Sequence, residues 1–202
     1  MKLYYAPGAC SLASHIVLQE TGLPFEIDKL NTANMTTSSG EDFAKINPKG
    51  YVPTLEMNDG SILTEGSAIL QYIADQNPDS GLAPKAGTME RYRLQEWLNY
   101  IATEIHKSYS PLFSKTTPEE TKINVRNMLT KRLGFIEDQL VKKLFLTGDG
   151  FTVADAYLFV VLNWSGRVGY DLSQFPKITE YISRIAKRPG VVAAMKAEGL
   201  IK

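Results

Sequence analysis

The stretch from Gln76 to Thr88 holds two prolines, two glycines and few apolar residues, and the patterning on its two sides differs in kind. Such a composition ends helices and strands alike, so it reads as a boundary between two separately patterned regions. Before it, short strand-like runs alternate with helical spacing. After it, everything reads helical. The chain is thereby confined to a small mixed α/β domain over residues 1–80 and an all-helical domain over 87–202.

Lys2, Leu3, Tyr4 and Tyr5 form a short strand ended by Pro7 and Gly8, and Ser11–Thr21 then carries Leu12, Ile16 and Leu18 at helical spacing up to Gly22. Residues 25–30 alternate apolar and polar side chains as a half-buried strand does. This is a βαβ unit. Residues 31–40 are polar and read as a loop, and residues 41–46 allow one or two helical turns before Asn47, Pro48, Lys49 and Gly50 break them. Two short strands flank Asn58-Asp59-Gly60, a strong hairpin signal, and residues 64–77 resume helical spacing through Ile69, Leu70 and Ile73. Beyond the boundary, helices are expected over 89–109, 118–143, 152–168, 176–187 and 189–197.

Composition then removes whole classes of function. With 22 Lys plus Arg against 22 Asp plus Glu, the chain lacks the positive field that holds nucleic acid or an anionic membrane. Its one cysteine, Cys10, permits no internal disulfide, and with only His15 and His106 beside it a structural zinc site is not expected. The run 156–162 is too short to span a bilayer, and Pro7 and Gly8 interrupt the start before any secretory apolar run. A soluble cytoplasmic protein is the expectation.

Cys10 falls at the turn between the first strand and the first helix, where helical N–H groups and the helix dipole favour thiolate. The alternative is a buried cysteine acting as a small apolar filler. Ala13 stands where a Cys-x-x-Cys pair would place its resolving thiol, so any redox cycle borrows a second thiol from a small molecule. Pro53, after Val52, is awkward inside a strand. Either that strand is an edge, or the bond is cis and exposes the Val52 backbone to an extended ligand, and the residues alone favour the edge. Glu65 and Gly66 open the next helix, where backbone N–H groups can close on a carboxylate; the plainer reading makes Thr64 an N-cap and Glu65 a first-turn acid.

In the first long helix, Asn99, Thr103 and His106 share one polar side, with Leu94, Trp97, Leu98, Ile101 and Ile105 opposite. That side is either solvated or faces a cleft, where His106 would handle a proton near neutral pH. Tyr109, Phe113 and Trp164 read as core or as the wall of an apolar pocket. Thr152 and Asp155 fit a structural capping box worth on the order of 1 kcal/mol.

In order along the chain, Tyr5-Ala6-Pro7-Gly8-Ala9-Cys10-Ser11, Asn47-Pro48-Lys49-Gly50 before Val52-Pro53, Thr64-Glu65-Gly66, Trp97-Leu98-Asn99 through His106-Lys107, and Phe151-Thr152-Val153-Ala154-Asp155-Ala156 resemble the cytosolic glutathione transferases, most closely the bacterial beta class. The resemblance implies a thioredoxin-like N-terminal domain joined to an all-α C-terminal domain in a homodimer. It implies a cis bond at Val52-Pro53, with the Val52 backbone on the cysteinyl part of glutathione and Glu65 with Gly66 on its γ-glutamyl end. It further implies that Asn99, Thr103, Glu104 and His106 face the interdomain cleft and that Cys10 lies beside the glutathione sulfur. One departure is Met35, where relatives often carry a lysine for the glycyl carboxylate; Lys107 or another cation is the candidate substitute.

The expected function is conjugation of glutathione, as co-substrate with no tightly bound cofactor and no metal, to small apolar electrophiles. Cys10 and His106 would be the catalytic residues, and Tyr109, Phe113 and Trp164 the electrophile site. Thiol-disulfide exchange through Cys10, as a disulfide reductase or peroxidase, is a second enzymatic reading. A non-catalytic protein that binds glutathione or apolar ligands is the rival from another class.

Overall fold

In the computed structural model, which describes residues 1–148 and 150–202, Leu3 and Leu55 lie side by side, fully buried, on neighbouring strands. They mark the centre of the first of two units, which comprises Met1–Ala83 and Lys187–Lys202. Strand β1 (Lys2–Tyr5) pairs parallel with β2 (Glu26–Lys29) and antiparallel with β3 (Thr54–Glu56), which pairs antiparallel with β4 (Ile62–Thr64). The order is β2-β1-β3-β4. A parallel pair needs a crossover, and helix α1 (Ser11–Thr21) supplies it, ended by Gly22 in the left-handed conformation at φ +66°. Strand β2 lies at a sheet edge, which tolerates its exposed Glu26 and Lys29.

The edge-strand reading of Pro53 is overturned. Strand β3 is flanked on both sides, and the proline escapes the donor problem by standing one residue before the ladder, after a cis Val52-Pro53 bond. Helix α2 (Gly66–Gln76) follows β4 and buries Ile69, Leu70, Ile73 and Ala74. Thr64 closes β4 and does not cap this helix; Glu65 holds the N-cap position, at φ +71°.

Helix α8 (Pro189–Ala197), expected to belong with the helical region over 87–202, packs instead on α1 within the first unit. The reason is local. Arg188 clamps the Glu20 carboxylate through two bonds of 3.0 and 2.6 Å, and the Glu20 side chain lies against Gly190, where a Cβ would meet its Oε1 at 2.7 Å, so a larger residue there would displace the clamped carboxylate.

The second unit, Pro84–Ala186, contains α3 (Met89–Tyr100), a π-helical segment Ile101–His106, α4 (Lys107–Phe113), α5 (Glu119–Leu140), α6 (Val153–Arg167) and α7 (Pro176–Ile185). Leu94, Leu98, Ile101 and Ile105 are buried with Leu129, Leu133 and Ile136 of α5. Each fully buried leucine or isoleucine contributes about 1.5–3 kcal/mol. Helix α6 is buried nearly all round, as its apolar run requires, and its start is fixed by the Thr152–Asp155 capping box. Fully buried Asp155 accepts from Leu146 N (2.9 Å), Thr152 N and Oγ1 (both 2.8 Å) and Tyr181 Oη (2.8 Å). Burial pushes its pKa up against the pull of those donors. The box is therefore a junction of three segments rather than a cap alone.

Among the described residues no helix is long and apolar enough to cross a membrane, and no group of three or more His, Cys, Asp or Glu could hold a metal ion.

Candidate functional site

The loop after β1 is wound by Ala9 N on Ala6 O (3.0 Å), by Gly8 at φ +66°, and by Ser11 Oγ, which accepts from Ala6 N (3.2 Å) and donates to Ala6 O (3.3 Å). It delivers Cys10 to the N-cap of α1, where the side chain makes no cap bond to the helix. The thiol donates instead to Val52 O at 3.2 Å. Cys10 is half-buried, so it is not a core filler, and in this arrangement its proton is in use.

Val52 is set by the turn before it. Buried Asn47 donates through Nδ2 to Tyr51 O and Thr54 Oγ1, both at 2.9 Å, and accepts from Lys49 N at 3.0 Å. A methyl group on Gly66 would lie 3.7 Å from Pro53 Cγ, so the start of α2 comes up against the same proline. Cys10, Val52, Glu65 and Gly66 therefore gather around one corner of the first unit. The Glu65 carboxylate faces Lys49, whose Nζ lies 2.7 Å away and also donates to Thr64 Oγ1 at 3.0 Å.

The loop is also held from the chain's far end. Glu198 Oε2 accepts from Gly8 N at 2.8 Å, and Oε1 lies 3.0 Å from His15 Nδ1, with both side chains fully buried. His15 Nε2 is buried without a hydrogen-bond partner. A proton on Nδ1, donated to Glu198, leaves only a lone pair unmet, which costs less than a stranded N–H. A cavity of about 710 Å3 beside the loop is lined by Ala6, Pro7, Lys29, Leu30, Asn31, Thr32 and Ser38. Met35, the departure from the resemblance, packs against the cluster of Tyr4, Leu30 and Phe43 and so turns to the core.

In the second unit the polar side expected from Asn99, Thr103 and His106 is rearranged by the π-helical segment, which places an additional residue in the turn. Thr103 Oγ1 donates to Asn99 O at 3.0 Å, and Glu104 pairs with Arg132 of α5 at 2.5 Å. His106 Nδ1 lies 2.7 Å from Tyr157 Oη, and its ring stands edge-on to Trp164 at 4.7 Å. Burial, with the neighbouring Lys107 charge, lowers its pKa from 6.5 to about 4. A histidine titrating near neutrality was expected; this one is neutral there, a hydrogen-bonding group rather than a proton carrier.

Trp164 collects the remaining aromatics, with Tyr109 at 6.0 Å and Phe113 at 5.6 Å, both edge-on. Tyr109 is fully buried, its hydroxyl bonded to Ser165 Oγ at 2.6 Å and its pKa pushed up to about 12 by burial. It is a core residue and corrects the expectation that it lines a pocket. Trp164 is also buried, while Phe113 is exposed. A cavity of about 530 Å3 lies elsewhere in this unit, floored by Trp97, Tyr100 and Phe135 with Arg93, Glu96 and Lys143 among its other walls. Sequence reasoning placed Trp97 on the buried side and missed this cavity. It also missed Tyr157, concealed in an apolar run, and Glu198, which no local pattern marks.

Residues 1–75 match the family described as glutathione S-transferase, N-terminal domain, and residues 100–189 its C-terminal domain. The chain is 47% identical over 200 residues to glutathione S-transferase GstA of Escherichia coli O157:H7, covering 99% of this chain and 100% of that one. A sphingomonad glutathione S-transferase complexed with glutathione superposes with a TM-score of 0.96 at 47% identity, covering 100% of both chains. The ternary complex of BphK, a bacterial GST, superposes at 0.97 with 51% identity, over 98% of this chain and 100% of that one.

Proposed function

This chain belongs to the glutathione S-transferase family, and on that premise we propose how its residues divide the work of joining glutathione to an electrophile. It is a transferase with glutathione as co-substrate. In the reaction, glutathione's S–H gives up its proton to solvent, the thiolate sulfur forms a bond to an electrophilic carbon, and the leaving group departs with the bonding pair. Raising the thiolate fraction tenfold takes about 1.4 kcal/mol of differential stabilisation, within the reach of one charge-assisted hydrogen bond.

The Val52 backbone is the proposed ladder for the cysteinyl part of glutathione, and Glu65 with Gly66 the seat of its γ-glutamyl end. The carrying observation is that Cys10 Sγ already donates to Val52 O at 3.2 Å. A cysteinyl N–H of the ligand that takes over Val52 O would release the Cys10 S–H to donate to the ligand sulfur. From the second unit the proposal takes Asn99, Thr103, Glu104 and His106. A neutral His106 whose Nδ1 accepts from Tyr157 has Nε2–H to offer a thiolate. The electrophile is proposed to be small and apolar, with exposed Phe113 the remaining candidate from the expected aromatic set.

A second activity, exchange through a Cys10–glutathione mixed disulfide, is favoured by the half-exposed thiol at the N-cap of α1. There Cys10 thiolate attacks oxidised glutathione, forming one S–S bond and releasing one glutathione thiolate. Assembly as a homodimer and residence in the cytoplasm are proposals that rest on the resemblance. For the dimer, exposed Met89 and Tyr92 of α3 and Met128 and Phe135 of α5 are apolar side chains for a second copy to cover, and sedimentation at micromolar protein tests it.

Initial rates with glutathione and an aryl halide, measured beside the melting temperature with and without glutathione, test the main reading. Saturable conjugation supports it. A glutathione-dependent rise in melting temperature without turnover would hand the site to the binding-protein reading.

A further inference from the structure

The chain has two histidines, and their Nδ1 atoms face partners of opposite kind. Glu198 Oε1, 3.0 Å from His15 Nδ1, is a carboxylate oxygen and can only accept, so His15 carries a hydrogen on Nδ1. Tyr157 Oη, 2.7 Å from His106 Nδ1, is a phenol and can donate. A phenol is a far stronger acid than a neutral imidazole N–H, and an imidazole nitrogen a far stronger base than a phenol oxygen. The better bond therefore runs from O–H to N and leaves the His106 hydrogen on Nε2. Burial keeps this ring neutral near pH 7, so each of its nitrogens has one role only.

Geometry holds the ring as firmly as chemistry assigns its hydrogen. Tyr157 and Trp164 stand two turns apart on one face of α6. The Tyr157 ring meets the imidazole at 5.9 Å and 85°, the Trp164 ring at 4.7 Å and 76°. Both are buried, on a helix that is itself buried nearly all round. His106 in turn ends the π-helical segment, whose additional residue rotates it by about 100° from where an ordinary α-helix would carry it. His106 is only half-buried, so one side of the ring stays open. We propose that Tyr157 is a positioning residue, whose hydroxyl fixes His106 as the Nε2–H tautomer and aims that N–H at the sulfur of glutathione. The inference rests on the reading of His106 as a donor to the thiolate. No proton changes hands: the histidine gives a hydrogen bond that strengthens as the sulfur becomes thiolate, and Tyr157 acts on the sulfur only through it.

Long-range proton–nitrogen correlation spectra of protein labelled in its histidine rings show which nitrogen carries the hydrogen. Wild type at neutral pH is expected to give opposite patterns, Nδ1–H for His15 and Nε2–H for His106, with His106→Ala deleting the second set of signals. In Tyr157→Phe, which keeps the aromatic ring, the Nδ1–H form of His106 should appear. At pH 6.5, where the bound thiol is still mostly protonated, kcat for conjugation should fall roughly three- to tenfold in that variant, with the KM for glutathione within about twofold of wild type. The same substitution made in His106→Ala should cost no further kcat, whereas a merely structural tyrosine would cost it in both backgrounds. A wild-type kcat in Tyr157→Phe, or an equal loss in the His106→Ala background, would overturn the positioning role alone. A wild-type kcat in His106→Ala, or a wild-type His106 with its hydrogen on Nδ1, would overturn both that role and the reading of His106 as the donor.

Discussion

The thiol of Cys10 donates to the main-chain carbonyl of Val52 at 3.2 Å, which ties the N-cap of α1 to the residue two before β3. A protonated thiol in this place is a hydrogen-bond donor, and the nucleophile of conjugation belongs to glutathione. Cys10→Ala is therefore expected to keep conjugation within about tenfold of wild type, the loss of one donor bond at most. The same variant should lose all mass adduct with oxidised glutathione. Intact-protein mass spectrometry beside initial rates checks both, and an adduct persisting in Cys10→Ala would end the exchange reading.

The depressed pKa of His106 has a definite pH signature. As pH falls, the unfolded chain takes up this proton near 6.5, while the folded protein resists until about 4. The contribution is whole above pH 6.5 and is lost between 6.5 and 4, a span of about 3 kcal/mol. Urea unfolding of wild type and His106→Gln should show the variant gaining on wild type by that order between pH 7 and 4. Between pH 6 and 8 His106 stays neutral, so no histidine inflection is expected in kcat.

Asp155 and Thr152 separate a junction from a cap. Thr152→Ala removes one hydroxyl and should cost about 1 kcal/mol. Asp155→Ala strips an acceptor from Leu146 N, Thr152 and Tyr181 at once in a fully buried place, and about 3 kcal/mol or more is expected. Equal losses in chemical denaturation would reduce Asp155 to its role in the capping box.

Glu198→Ala takes away the acceptor that Gly8 N and His15 share, and about 3 kcal/mol of stability should go with it. Arg188→Ala loosens the same terminal segment from α1 through Glu20, without reaching the Cys10 loop. Alkylation of Cys10 by iodoacetamide should change rate in the first variant and not in the second. Matching rates would mean that Glu198 serves stability alone.

Local chemistry explains what the sequence made legible. Asp59-Gly60 declares its hairpin, Gly22 its helix end, and Thr152 with Asp155 a cap, because each works through neighbours a few residues away. Cys10, Val52, Glu65 and Gly66 were legible as a group through the order of their motifs. The π-helical segment 101–106 was not, since its apolar residues fit ordinary helical spacing equally well. Nor was the interior place of β3, the inward turn of Met35, or the reach of Glu198 to Gly8 across 190 positions, all of which depend on packing between distant segments.

Ultraviolet difference titration of glutathione on the protein, from pH 5 to 9, tests whether the site holds the ligand and shifts its thiol toward thiolate. A thiolate signal that saturates with ligand and titrates at least about one unit below the ordinary thiol value of ~8.5 is expected. A bound thiol that titrates as it does free in solution, or no bound signal at all, would mean that the protein does not activate glutathione.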